Sequence, residues 1–278
     1  MTDETTWLVT GAGRGLGRAL VLAALDAGHA VHATVRDTGT CDLPSHERLT
    51  IGTLDVRDRD AARAAVAGAT EQHGGVAVLV NNAGYGLIGA IEEVTEDDAR
   101  AIVDTHLFGA LWLTQAVLPG MRARGSGHVV QISTVGAVGT MPTLGLYNAS
   151  KWGLEGFSEA LAAEVARFGI RVTMVEPGQL DTRWGTGGMR FSAPLPDYDQ
   201  LRADLFGTPT VPFPDDGGTG GGTSPADAAR VILAHVADPS DQRRRLLVGD
   251  DAPGQVRAAL DLRLHDYERD PRFAALSR

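Results

Sequence analysis

Residues 7–10, Trp-Leu-Val-Thr, run straight into Gly11-Ala12-Gly13-Arg14-Gly15-Leu16-Gly17, and a helix pattern follows through Ala27, closed by Gly28. A buried strand, a glycine turn and a helix start, in that order, leave few folds open. Glycine lets backbone come close to a ligand, and the first N–H groups of a helix, with its dipole, favour negative charge. The spacing is Thr-Gly-x-x-x-Gly-x-Gly, because Leu stands at 16. Such a turn also occurs without a ligand. Its place directly after the first strand points to a pyrophosphate.

The rest of the chain repeats strand and helix. Strands are expected at 30–35, 49–54, 76–80, 129–132, 171–175 and 246–248, and helices at 58–73, 97–123, 225–237 and 252–268, with a further helix carrying Tyr147 and Lys151. The run Val76-Ala77-Val78-Leu79-Val80 is continuous and apolar, as a strand covered on both faces requires. This alternation predicts an α/β fold, a Rossmann-like doubly wound parallel sheet forming a single domain over 1–278. Ligands bind such sheets at the carboxyl ends of the strands. Residues 184–223 break the rhythm with prolines 194, 196, 209, 212 and 214 and the run Gly217-Gly218-Thr219-Gly220-Gly221-Gly222. Interspersed are Phe191, Leu195, Tyr198, Leu201, Leu205, Phe206 and Phe213. Long loops in compact domains are functional or disordered. This one reads as a substrate lid with one or two short helices and a glycine connector. The end, 269–278, reads as a loose tail.

The second strand ends in Val35-Arg36. A dinucleotide fold that takes NAD has a carboxylate there for the ribose 2′-hydroxyl; a guanidinium suits a 2′-phosphate. Arg36, helped by Arg14, therefore favours NADP(H) over NAD(H). Asn81-Asn82-Ala83-Gly84 ends the fourth strand, where small residues leave room for a cofactor and amides brace neighbouring strands.

Tyr147 and Lys151 are four apart, on one face of a helix. An ammonium beside a phenol favours the phenolate, so the pair is expected to lower the tyrosine's pKa toward working pH. Ser133 follows the apolar run Val129-Val130-Gln131-Ile132 and so is expected at a strand end, where its hydroxyl can meet the same substrate oxygen. Taken alone, Tyr-x-x-x-Lys also occurs by chance on an exposed helix face.

A net charge of −10 disfavours nucleic acid as a partner. The single cysteine, Cys41, allows no intrachain disulfide, which fits a reducing, cytoplasmic location. The acidic N-terminus lacks the features of a signal peptide, and no apolar run approaches the ~20 residues of a membrane span. The eight histidines are scattered, so no metal site is indicated.

Together, Thr10-Gly11-x-x-x-Gly15-x-Gly17, Asp55-Val56, Asn81-Asn82-Ala83-Gly84, Ser133, Tyr147-x-x-x-Lys151 and Pro177-Gly178…Thr182 resemble the short-chain dehydrogenase/reductase superfamily over roughly 7–250. The resemblance implies that Gly11, Arg14, Gly15, Leu16 and Gly17 line the pyrophosphate and adenosine side, and that Asp55 and Val56 meet the adenine. Asn82, Ala83 and Gly84 would lie at the ribose, Lys151 at the nicotinamide ribose, and Pro177, Gly178, Leu180 and Thr182 at the nicotinamide. Ser133 would orient the substrate oxygen, and Tyr147 would give or take its proton. Where the family usually has asparagine, in Asp104-Thr105-His106-Leu107-Phe108-Gly109, this chain has His106. That imidazole could hold a water for the proton path, or pack as structure while its backbone does so, or mark altered chemistry. The expected activity is oxidoreduction of a hydrophobic ketone or secondary alcohol. The alternatives are a non-redox relative, such as a dehydratase or cyclase, and a cofactor-binding sensor. The family commonly forms dimers or tetramers, so a homodimer or homotetramer is expected, with Trp112 and Trp152 either in such contacts or in the core.

Overall fold

The computed structural model describes residues 5–182, 188–213 and 221–275. Seven strands form one parallel sheet: β1 Thr6–Thr10, β2 Ala30–Val35, β3 Leu49–Thr53, β4 Val78–Asn81, β6 Gly127–Ile132, β7 Ile170–Pro177 and β9 Arg245–Val248. Their order is β3-β2-β1-β4-β6-β7-β9, and every pairing is parallel. The direction of winding reverses between β1 and β4, which places a ligand crevice at the carboxyl ends of those two strands.

Helices α1 Gly15–Asp26, α2 Arg59–His73, α3 Glu96–Val103, α4 Gly109–Arg124 and α5 Gly145–Val165 supply both covers of the sheet, with α6 Asp199–Phe206, α7 Pro225–Ala237, α8 Ala252–Glu268 and α9 Pro271–Ala274 further along. One core packs α1 and α7 on the sheet through Leu20, Val21 and Ile232; the other packs α2, α4 and α5 through Val66, Leu113, Val117 and Leu161. Burial on both faces is why Trp7-Leu8-Val9 of β1 and Val78-Leu79-Val80 of β4 are apolar without alternation, and β2 is buried along its whole length, His32 and Thr34 included. Local chemistry sets the ends. Asp58 accepts the N–H groups of Asp60 and Ala61 to start α2, and Gly74 closes it at φ +77°. Ser224 caps α7, with Pro225 in its first position.

Three features depart from the sequence expectation. The helix expected over 97–123 is two α-helices joined by a π-turn at Asp104–Phe108, centred on His106. A pair of three-residue strands, β5 Gly86–Ile88 and β8 Met189–Phe191, ties the lid to the loop after β4. The tail expected to be loose contains α9, whose Phe273 stacks on Tyr267. The helical run Glu96–Arg124 is also, by length and composition, long and apolar enough to cross a membrane. Here its residues Ile102, Leu113, Val117 and Met121 are buried inside the protein.

The expected short helices of the lid are present as a 3-10 turn at Pro196–Tyr198 and α6. Arg202 of α6 is buried and bonds Glu93 at 2.5 Å, Asp199 at 2.6 Å and the carbonyls of Leu195 and Pro209. Phe213 packs on Phe191 and Phe206. Trp184, Pro214 and the glycines 217, 218 and 220 lie outside the described residues. Trp152 is partly exposed, with the Arg263 guanidinium over its ring, while Trp112 stacks on Phe108.

Candidate active site

The glycine turn closes against the end of β4. Gly11 has φ +63°, and a Cβ there would meet the Ala83 Cα at 2.9 Å. At Gly17 a Cβ would meet the Asn82 amide nitrogen and the Gly11 carbonyl, both at 2.5 Å. The Thr10 hydroxyl accepts the N–H groups of Asn82 (2.9 Å) and Ala83 (3.0 Å), and the Asn82 amide donates to the Thr10 carbonyl (2.8 Å). Asn81 braces the next strand by donating to Gln131 (3.0 Å). Gly15, at φ +54°, lies against Thr182, so the first turn and the segment after β7 meet across the crevice. No side chain caps the N-terminus of α1, which leaves its first N–H groups to a ligand. These are the features a dinucleotide pyrophosphate needs.

Arg14 and Arg36 are both exposed beside this turn. Leu16 turns its side chain into the core, so only its backbone can line the crevice. Val56 is likewise buried against Gly109, where a Cβ would meet its Cγ2 at 2.7 Å. The Asp55 carboxylate is held by Arg57, whose hydrogen bonds keep it below the usual carboxylate range. Gly84 is exposed, Pro177 is buried at the end of β7, and Gly178 and Leu180 are half-buried. The Gly178 N–H donates to the Val248 carbonyl, and Leu180 bridges to Thr223.

One face of α5 lies along the end of β6. Tyr147, Lys151 and Glu155 are one turn apart, and each bonds one of three consecutive residues there. Lys151 Nζ donates to the Ile132 carbonyl (2.7 Å), the Ser133 hydroxyl donates to Glu155 Oε1 (2.5 Å), and the Tyr147 hydroxyl is hydrogen-bonded to Thr134. All three helix residues are buried. Burial pushes the Tyr147 phenol up to about 12, against the pull of Thr134, and pushes Lys151 down to about 8. The lowered tyrosine pKa expected from the Tyr-x-x-x-Lys spacing is therefore not found. Desolvation of the phenol outweighs any help from a lysine that is bonded to a carbonyl.

His106 is buried on the π-turn. Its Nε2 accepts the Tyr85 N–H (3.0 Å), and its Nδ1 lies 2.8 Å from the Ser150 hydroxyl. Ser150 spends its one proton on the Tyr147 carbonyl (2.7 Å). The ring must then donate to Ser150 from Nδ1, which makes it the neutral Nδ1–H tautomer. Burial, then the charge of Lys151, holds its pKa well below that of free imidazole. With both nitrogens engaged, His106 is a brace between the loop after β4 and the tyrosine helix. Beside it a cavity of about 10 Å³ touches Thr105, Asn81 and Lys151, the room of roughly one water. Among the described residues, no group of acidic, histidine or cysteine side chains could hold a metal.

Spacing alone left out Glu155, Glu176, Arg245, Tyr85 and Ser150. Two of them carried a signal. Glu155 continues the Tyr147–Lys151 spacing, and Glu176 is a charge directly after the apolar pair Met174-Val175 at a strand end.

The short chain dehydrogenase family model matches residues 5–187. The chain belongs to that family. It is 36% identical over 250 residues to Oxidoreductase BOA17 of Botryotinia fuckeliana, spanning 88% of this chain and 89% of that one. It is 38% identical over 201 residues to 3-ketodihydrosphingosine reductase of Bacteroides thetaiotaomicron, 72% of each. A crystal structure of a short-chain dehydrogenase from Streptomyces avermitilis superposes with a TM-score of 0.83 at 39% identity, covering 96% of this chain and 98% of that one. Other similar structures, at 26% and 25% identity, are complexed with NADP. The chain is thus an oxidoreductase of that family, with the Rossmann-like α/β fold of those structures.

Proposed function

We propose that the protein is an NADP(H)-dependent oxidoreductase acting on a ketone or secondary alcohol of hydrophobic character, with Tyr147 as general acid and base. The observation that carries this reading is the alignment of Tyr147 and Lys151 on one helix face against the strand end that bears Ser133. The uncapped α1 N-terminus and the glycine turn fit the pyrophosphate, and Arg36, in the place of a carboxylate, fits a 2′-phosphate. When bound, the nicotinamide supplies or accepts the hydride.

The chain's own groups handle the oxygen and its proton. Tyr147, held protonated by burial, gives its proton to the carbonyl oxygen as negative charge develops there, and takes one back in the reverse direction. Ser133 fixes that oxygen in place. Lys151, with a pKa of about 8, changes charge near neutral pH and borders the one-water cavity, so it can return a proton to the phenol. The apolar lid residues Phe191, Phe206 and Phe213 support a hydrophobic substrate. The relative that reduces 3-ketodihydrosphingosine supports the carbonyl chemistry.

The test is NADPH oxidation with a panel of ketones, followed at the nicotinamide absorbance band. Turnover that Tyr147→Phe abolishes, with NADPH binding retained, supports the reading. NADPH binding without turnover on any carbonyl would favour a sensor or a non-redox relative.

A further inference from the structure

Ser133 has one proton, and in this structure it is spent on Glu155, at 2.5 Å. A hydroxyl in that state offers only lone pairs to a substrate. A ketone oxygen gaining negative charge needs a donor. The surroundings of Glu155 supply a way to turn Ser133 around.

Ser133 lies just past the Ile132–Val175 pairing, with its N–H on the Val175 carbonyl, so the next residue of β7, Glu176, is its neighbour across the sheet. Glu176 is fully buried and faces Glu155. Arg245, at the start of β9, is the cation shared by Glu155 (3.4 Å), Glu176 (Nε to Oε1, 3.0 Å) and the half-exposed Glu159. Neither Glu176 oxygen has an aligned hydrogen-bond donor. From α5, the Lys151 ammonium, bonded to the Ile132 carbonyl, also interacts with the charge of Glu155. Two cations against three carboxylates, two of the carboxylates buried, still leave an excess of negative charge that a proton relieves. Desolvation and then the charge of Glu155 raise Glu176 to about 7, and desolvation raises Glu155.

Resting on the oxidoreductase reading above, we propose that Glu155 and Glu176 share one proton and that this proton sets the direction of the Ser133 hydrogen bond. With the proton on Glu155, its carboxyl donates to the Ser133 oxygen, and the serine O–H is free to point at the substrate oxygen. With the pair fully ionised, Ser133 is locked onto Glu155 as donor. By microscopic reversibility, reduction and oxidation cross the same transition state, so both directions need the protonated pair. Glu155 and Glu176 are positioning residues that act through Ser133.

Two measurements test this. Infrared spectroscopy of the purified protein, without substrate, reads the carboxylic-acid C=O stretch. A deuterium-sensitive band present at neutral pH and lost in Glu176→Gln supports the shared proton, and its absence from the wild type overturns the proposal. This arm needs no turnover, so a protein that shows the band but reduces no carbonyl would sink the oxidoreductase reading alone. The second arm is the pH profile of kcat for ketone reduction. Glu155→Gln keeps an N–H donor toward Ser133 and is expected to retain the wild-type rate within a few-fold, while losing the neutral limb. Glu176→Gln leaves Glu155 ionised and is expected to lower the neutral-pH rate about tenfold or more and to move the limb to lower pH. Glutamine variants that lose rate equally, with the limb unmoved, would show a merely structural pair and overturn the proposal.

Discussion

His106 Nε2 accepts the Tyr85 N–H at 3.0 Å, and this one bond fixes the tautomer of the ring. Because Ser150 donates elsewhere, Nδ1 must carry the hydrogen, and the imidazole has no free nitrogen for a reacting group. With both nitrogens taken, His106 braces the helix that carries Tyr147 and Lys151.

His106→Asn is expected to retain reductase activity within about tenfold, since asparagine keeps an acceptor for one of the two bonds and the proton donor is elsewhere. A loss of more than about 100-fold, the size seen on removing a general acid, would make His106 a direct participant. Steady-state kinetics with NADPH and one accepted ketone decide this.

Arg36→Ala is expected to weaken NADPH binding by about 10- to 100-fold, the worth of a charge-assisted hydrogen bond to a phosphate, and to leave NADH binding within about threefold. Fluorescence titration with both cofactors measures it. Equal losses for the two would show that the guanidinium does not read the 2′-phosphate.

Arg202→Met leaves the Glu93 carboxylate buried without its cation. Breaking a buried pair from one side costs about 3–5 kcal/mol, so the variant is expected to lose that much in urea denaturation. The double variant with Glu93→Gln should recover part of it. Limited proteolysis should show the single variant cut first near 195–209, where Arg202 holds the Leu195 and Pro209 carbonyls.

The fold should lose stability in mild acid through its buried histidines. His128 is held at about 3 by burial, and His106 well below its ordinary value. Both stay neutral in the folded chain and titrate near 6.5 when unfolded. Their contribution is fully present above about pH 6.5 and is lost as pH falls below it, by about 1.4 kcal/mol per group per pH unit. His128→Gln should flatten the dependence of the denaturation midpoint between pH 7 and 5. An unchanged slope would mean that His128 protonates in the folded state.

What the sequence determined by itself is the part governed by short-range rules. Continuous apolar strands, the turn at Gly11–Gly17 and the caps at Asp58 and Ser224 depend on a few adjacent residues, so the doubly wound sheet and its ligand edge were legible. The spacing of Tyr147 and Lys151 was legible for the same reason. Strands β5 and β8 were not, because three residues carry no periodicity and each exists only through the other. The π-turn at His106 was hidden because its composition is that of an ordinary helix. Only the tertiary structure decided the pKa order of Tyr147 and Lys151, since desolvation depends on what covers a group and not on its neighbours in sequence. The same holds for the meeting of Glu155, Glu176 and Arg245 behind Ser133. Residues from a helix and two strands come together there because the sheet order sets β7 between β6 and β9.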